Sequence, residues 1–148
     1  MKLIDAWAGT APFDARSRLL RRVLLCNAGS SFLCAALLLG AGHWTAGLIG
    51  APEAGPLLQV LGGGLLVFAL GVEWVATRVP LQPSHGWAVV ALDISWVMGS
   101  AVLLPFLAGR INLLGEAAII AVALVVLGWA LGQIRGLRQL EGVSPVSA

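Results

Sequence analysis

Asp93 is the residue whose type and place raise the first chemical question. It lies in Gly86–Leu104, GWAVVALDISWVMGSAVLL, a run otherwise apolar and long enough to cross a bilayer. A carboxylate at membrane depth costs roughly 2.5–3.5 kcal/mol on insertion scales, so it calls for a partner or a task. Trp96 and Ser100 follow at spacings of three and four, on the same helical face. Glu73 stands five residues before Arg78, Asn27 five beyond Arg22, and Gln133 and Arg135 close a later apolar run. Asn27, Glu73, Asp93 and Arg135 form the candidate intramembrane polar cluster. Two chemistries suit it. Asp93 with Glu73 could bind a proton or cation and couple it to movement of a substrate. Alternatively, Asp93 accepts hydrogen bonds from Asn27, a serine, the Trp96 indole of a neighbouring copy or Arg135 and fixes helix packing. The second is the leading expectation, because a carboxylate near a helix end reaches interfacial water without any coupling role.

Other residues narrow the field. Trp44, Trp74 and Trp87 fall near predicted interfaces, as an aromatic belt requires. Trp96 and Trp129 lie deeper and, with Ser100, are possible ligand or helix-packing contacts. His43 and His85 are expected on opposite sides of the membrane and cannot share a metal. Gly62–Gly64 has no neighbouring lysine and reads as close helix packing, not a phosphate loop. No serine has a plausible base beside it. The expectation is a non-enzyme with no catalytic residue, no cofactor and no metal. Cys26 and Cys34 are eight residues apart, about 12 Å along a helix, too far for a disulfide.

These residues need elements to hold them. The 148-residue chain is 59% hydrophobic and 11% charged, with a net charge of +2. Soluble domains carry about 25% charged residues, so the polar surface is too small for a water-soluble globule. Its basic residues sit beside apolar spans, not on a polar face, which excludes a nucleic-acid partner. Four runs of about 20 apolar residues, at about 19–42, 57–78, 86–107 and 113–135, predict an all-α, four-transmembrane-helix bundle. Residues 1–18 read as a polar or interfacial leader, in which Leu3, Ile4, Trp7 and Phe13 could lie along the surface, and 136–148 as a short tail. The first run is longer than a signal-peptide core and is expected to remain uncleaved.

With a cytoplasmic N-terminus, Lys2, Arg16, Arg18, Arg21, Arg22, Arg78, Arg135 and Arg138 lie inside and only Arg110 outside. Both termini are therefore expected in the cytoplasm. Stripes at helical spacing predict the inward faces: Asn27, Ser31 and Cys34; Gly62, Leu66, Ala69, Glu73 and Ala76; Asp93, Trp96 and Ser100; Ala117, Ala121, Gly128, Gly132 and Arg135. Aligning Arg78 with Arg135 also superposes Gly71 on Gly128, the trace of a duplicated hairpin.

The element Leu92-Asp93-Ile94-Ser95-Trp96-Val97, with Asn27 in the first span and Gly62–Gly64 and Gly71 in the second, resembles a group of small, uncharacterised four-helix bacterial membrane proteins with a D-x-x-W-V motif. That resemblance implies a bacterial inner-membrane location and no particular activity. Small multidrug-resistance transporters differ, since their essential carboxylate lies in the first helix, where this chain has Asn27. The expected role is an accessory, assembly or structural subunit in the bilayer, with a homo-oligomer or larger membrane protein as partner. A small proton- or ion-coupled transporter using Asp93 and Glu73 is the alternative.

Overall fold

The structure, a computed structural model, describes residues 2–142, with side chains described from Ser17 onward. The described chain is helical: α1 (Lys2–Leu48), a 3-10 turn at Pro52–Ala54, α2 (Gly55–Thr77), α3 (Pro83–Leu107) and α4 (Leu113–Glu141). Four segments are long and apolar enough to cross a membrane, Ser17–Leu48, Pro52–Thr77, Pro83–Leu107 and Leu113–Glu141. The all-α four-helix architecture is thus the one expected.

The boundaries differ, for local reasons. α1 runs past Gly42 to Leu48, through a kink at Ala41 (φ −130°, ψ 23°) that falls between two glycines. It stops where Gly50 takes φ +80° and the Ala51 and Gly50 amides fold back on the Ala46 and Gly47 carbonyls, a glycine-terminated helix end. Its backbone is also helical from Lys2, over the expected leader. Surface placement of Leu3, Ile4, Trp7 and Phe13 lies outside the described side chains. α4 continues beyond Arg135 to Glu141 because Gly136, Leu137 and Leu140 still have a core to bury against. The last six residues of the expected tail, 143–148, lie outside the described residues.

Around the bundle the order is α2, α1, α4, α3. α1 packs on α2 and on α4, and α4 packs on α3, whereas α2 and α3 scarcely meet. Glycines set the close approaches. A Cβ at Gly136 would meet Leu20 Cβ at 2.9 Å and Leu20 Cα at 3.0 Å, and one at Gly62 would meet Leu38 Cβ at 2.9 Å. Because Gly136 abuts Leu20, the start of the α1 span and the end of α4 share one end of the bundle. The apolar core gathers at that end: Leu20, Leu24 and Ala28 from α1, Val72, Val75 and Ala76 from α2, Leu81, Val89 and Val90, and Leu137 and Leu140 from α4. On α3, every buried residue lies between Gly86 and Asp93.

The expected inward face of α4 is corrected. Ala117, Ala121, Gly128 and Arg135 point away from the bundle, and Gly115, Ala130, Gln133, Gly136, Leu137 and Leu140 are buried instead. The neighbours decide this. At the core end, Leu20 and Val23 of α1 and Gly86 of α3 lie against Gly136, Gly132 and Leu137. Gly71 and Gly128, paired in the apparent duplication, each face open space.

At the opposite end Asn112 ties α4 to the end of α1. Asn112 caps α4 by accepting from the Gly115 amide (3.0 Å), donates its side-chain amide to the Leu48 carbonyl (2.7 Å) and its backbone amide to Ile49 (2.8 Å). Asn112→Ala is expected to cost about 1–2 kcal/mol in detergent unfolding. Asn112→Asp, which keeps the cap and loses the donor to Leu48, should fall between the two.

Candidate functional site

Three helices converge on Asp93. It is 2% exposed and lies ten residues into α3, about 15 Å along the helix because α3 starts at Pro83 rather than Gly86. Asn27 of α1 donates its side-chain amide to Asp93 Oδ2 at 2.8 Å. Gln133 of α4 donates to the same oxygen at 2.9 Å. Asn27 and Gln133 are 1% and 0% exposed. Ser31, one turn along α1, donates to Asn27 Oδ1 at 3.5 Å, and Ser30 donates to the Asn27 carbonyl at 2.9 Å. Asp93 therefore clasps α1 and α4 from the third helix. Among the described residues α1 and α3 make no close backbone approach, so the clasp is the polar link across that diagonal. Burial raises the penalty for leaving either donor without its acceptor.

Of the four residues expected to cluster, Asn27 and Asp93 are brought together. Glu73 and Arg135 are exposed, and neither hydrogen-bonds to Asp93. Helical phase explains Arg135: two residues from Gln133 is about 200° around the helix, so the two cannot face inward together. Gln133 is the member that the sequence stripe passed over. The signal was available, since Ala130, Gln133, Leu137 and Leu140 recur at spacings of three and four.

Ser100 donates to the Trp96 carbonyl one turn back (2.9 Å) and stays within its own helix. The Trp96 and Trp129 indole N–H groups and Gln133 Oε1 are buried without hydrogen-bond partners. Gln133 belongs to the clasp itself, and Trp96, three residues from Asp93, and Trp129, four from Gln133, stand about one helical turn from it in their own helices.

A second constellation lies at the core end, where α2 passes into α3. Arg21 of α1 donates to the carbonyls of Ala76 (2.5 Å) and Arg78 (2.6 Å), satisfying the last turn of α2. The Arg78 guanidinium lies 4.0 Å from the Trp74 ring centroid, and Trp74 meets His85 edge-to-face at 5.4 Å. Trp87 donates to Glu141 Oε1 at 2.8 Å, joining the start of α3 to the end of α4. Composition placed Trp74 and Trp87 near an interface, and pairing only becomes visible when the helix ends meet.

Fold and site define a four-helix bundle of membrane-spanning length with a buried carboxylate–carboxamide clasp. In comparisons with known proteins, no family model, curated protein or solved structure matches the chain.

Proposed function

We propose that the protein is a non-enzymatic, multi-pass subunit of the bacterial inner membrane, with an accessory, assembly or structural role and both termini cytoplasmic. The orientation of α4 carries this reading. Ala117, Ala121 and Gly128 form a stripe of small residues turned out of the bundle. In lipid, where close packing rather than hydrophobicity drives helix association, such a stripe suits a neighbouring helix, from a second copy or a larger membrane protein. The basic residues support the orientation. The core end carries Arg18, Arg21, Arg22, Arg78, Arg135 and Arg138, and Arg110 lies between α3 and α4 at the other end.

Extraction in mild detergent followed by native electrophoresis tests the reading. A co-purifying assembly is expected, and Ala121→Leu or Gly128→Leu should release the chain from it without unfolding it. A lone homo-oligomer with saturable uptake of a solute would sink the proposal.

The proton- or ion-coupled transporter has one observation in its favour. The unpartnered Trp96, Trp129 and Gln133 atoms near Asp93 suit a site that admits a polar guest. It would work through Asp93 without Glu73, which stands exposed on α2. Asp93→Asn in liposomes separates the readings: loss of flux with intact assembly supports transport, and no flux from either protein excludes it.

A further inference from the structure

Among the described residues, the seam between α2 and α3 is the side of the bundle where neighbouring helices scarcely meet. It forms an apolar groove of about 360 Å³ lined by Val67, Phe68, Gly71, Val72, Ala88 and Leu92, among others. At its end toward the α2–α3 connection, Trp74 and His85 belong both to this groove and to a smaller polar pocket of about 120 Å³. Arg78, Pro80 and Gln82 complete that pocket. The two spaces are therefore neighbours that share the Trp74 and His85 rings, one apolar along the helices and the other basic at the helix ends.

We propose that this groove binds an anionic phospholipid, with an acyl chain between α2 and α3 and the phosphate at Arg78 and His85. Length and charge both fit. From Val67 to Val75 the groove runs about 12 Å along α2. That is close to one leaflet, half of a hydrocarbon core of about 30 Å. The Arg78 guanidinium is held over Trp74, and among the described residues no carboxylate lies within ion-pair distance of it. Arg21 covers the negative carbonyl end of α2 and adds a second positive charge beside it. Glu73, the nearest acid in sequence, lines neither space. A transmembrane helix is a poorer occupant. Its diameter of about 10–12 Å and full membrane length exceed a groove that ends after about two turns.

The test uses the full chain reconstituted with equimolar phosphatidylglycerol and phosphatidylcholine, extracted mildly and read by native mass spectrometry. Wild type should retain phosphatidylglycerol preferentially. Arg78→Gln should reduce that preference about fivefold, and Arg78→Lys should keep most of it. Gly71→Leu should lower retention of both lipids. A Cβ at Gly71 meets nothing within 4 Å, so the new side chain starts into the open groove that Gly71 lines. Thermal melts of each variant verify folding. Unchanged lipid retention in Gly71→Leu, or unchanged preference in Arg78→Gln, overturns the proposal. Displacement by millimolar glycerol phosphate would instead identify a site for a soluble anion. A Gly71→Leu protein that changes oligomeric state while wild type holds no lipid would identify a second copy as occupant. Either outcome also overturns it.

Discussion

Asp93→Leu is expected to destabilise the bundle by about 2–4 kcal/mol, whereas Asp93→Asn stays within about 1 kcal/mol of wild type. Leucine leaves the Asn27 and Gln133 amides buried with no acceptor, each at the cost of a desolvated donor. Asparagine still offers one carbonyl oxygen where Oδ2 now accepts both bonds. Interhelical hydrogen bonds in membranes average only about 0.6 kcal/mol in double-mutant cycles, so the larger value rests on the two orphaned amides rather than on lost attraction. Reversible unfolding in mixed detergent micelles measures it. The cycle Asn27→Leu with Asp93→Leu should show coupling, because Asn27→Leu removes a donor that Asp93→Leu has already left without its acceptor. An Asp93→Leu protein as stable as wild type would remove the clasp from the account of this fold.

Gly136→Val should be nearly as damaging, at about 1–3 kcal/mol, and Gly128→Ala should have the opposite sign. At Gly136 the first added carbon already meets Leu20 Cβ, Cα and N at 2.9, 3.0 and 3.1 Å. Backbone atoms cannot swing aside as a side-chain tip would, so α1 and α4 must separate where the core is densest. At Gly128 nothing lies within 4 Å, and alanine removes glycine's conformational freedom for a gain of about 0.5–1 kcal/mol. The same unfolding assay reads both. Equal effects at the two positions would mean that α4 is rotated from the orientation described.

Several features were legible from residue order alone. Apolar runs of bilayer length dictate helices, since no other backbone satisfies its own polar groups there. Asp93 and Asn27 stood out because a polar group in such a run is costly, and cost implies a partner. Of the Gly62–Gly64 run expected to pack closely, Gly62 lies against Leu38, whereas Gly63 and Gly64 face open space.

What the chain could not reveal was rotation. On α4, small residues and a polar stripe compete for the inward face, and composition favours the small residues that lie in fact on the outside. Only the surfaces of α1 and α3 decide that Gln133 turns in and Arg135 turns out. Arginine reaches water at a helix end more cheaply than it enters a packed core, while glutamine brings a donor that Asp93 can accept. Glu73 was misleading in the same way, one position from the buried Val72 and on the exposed side. Sequence alone therefore determined the number of membrane-length helices, the region of the chain each occupies and the residue that must be satisfied. The tertiary structure alone decided the partners, because these depend on the phase of helices far apart in the chain.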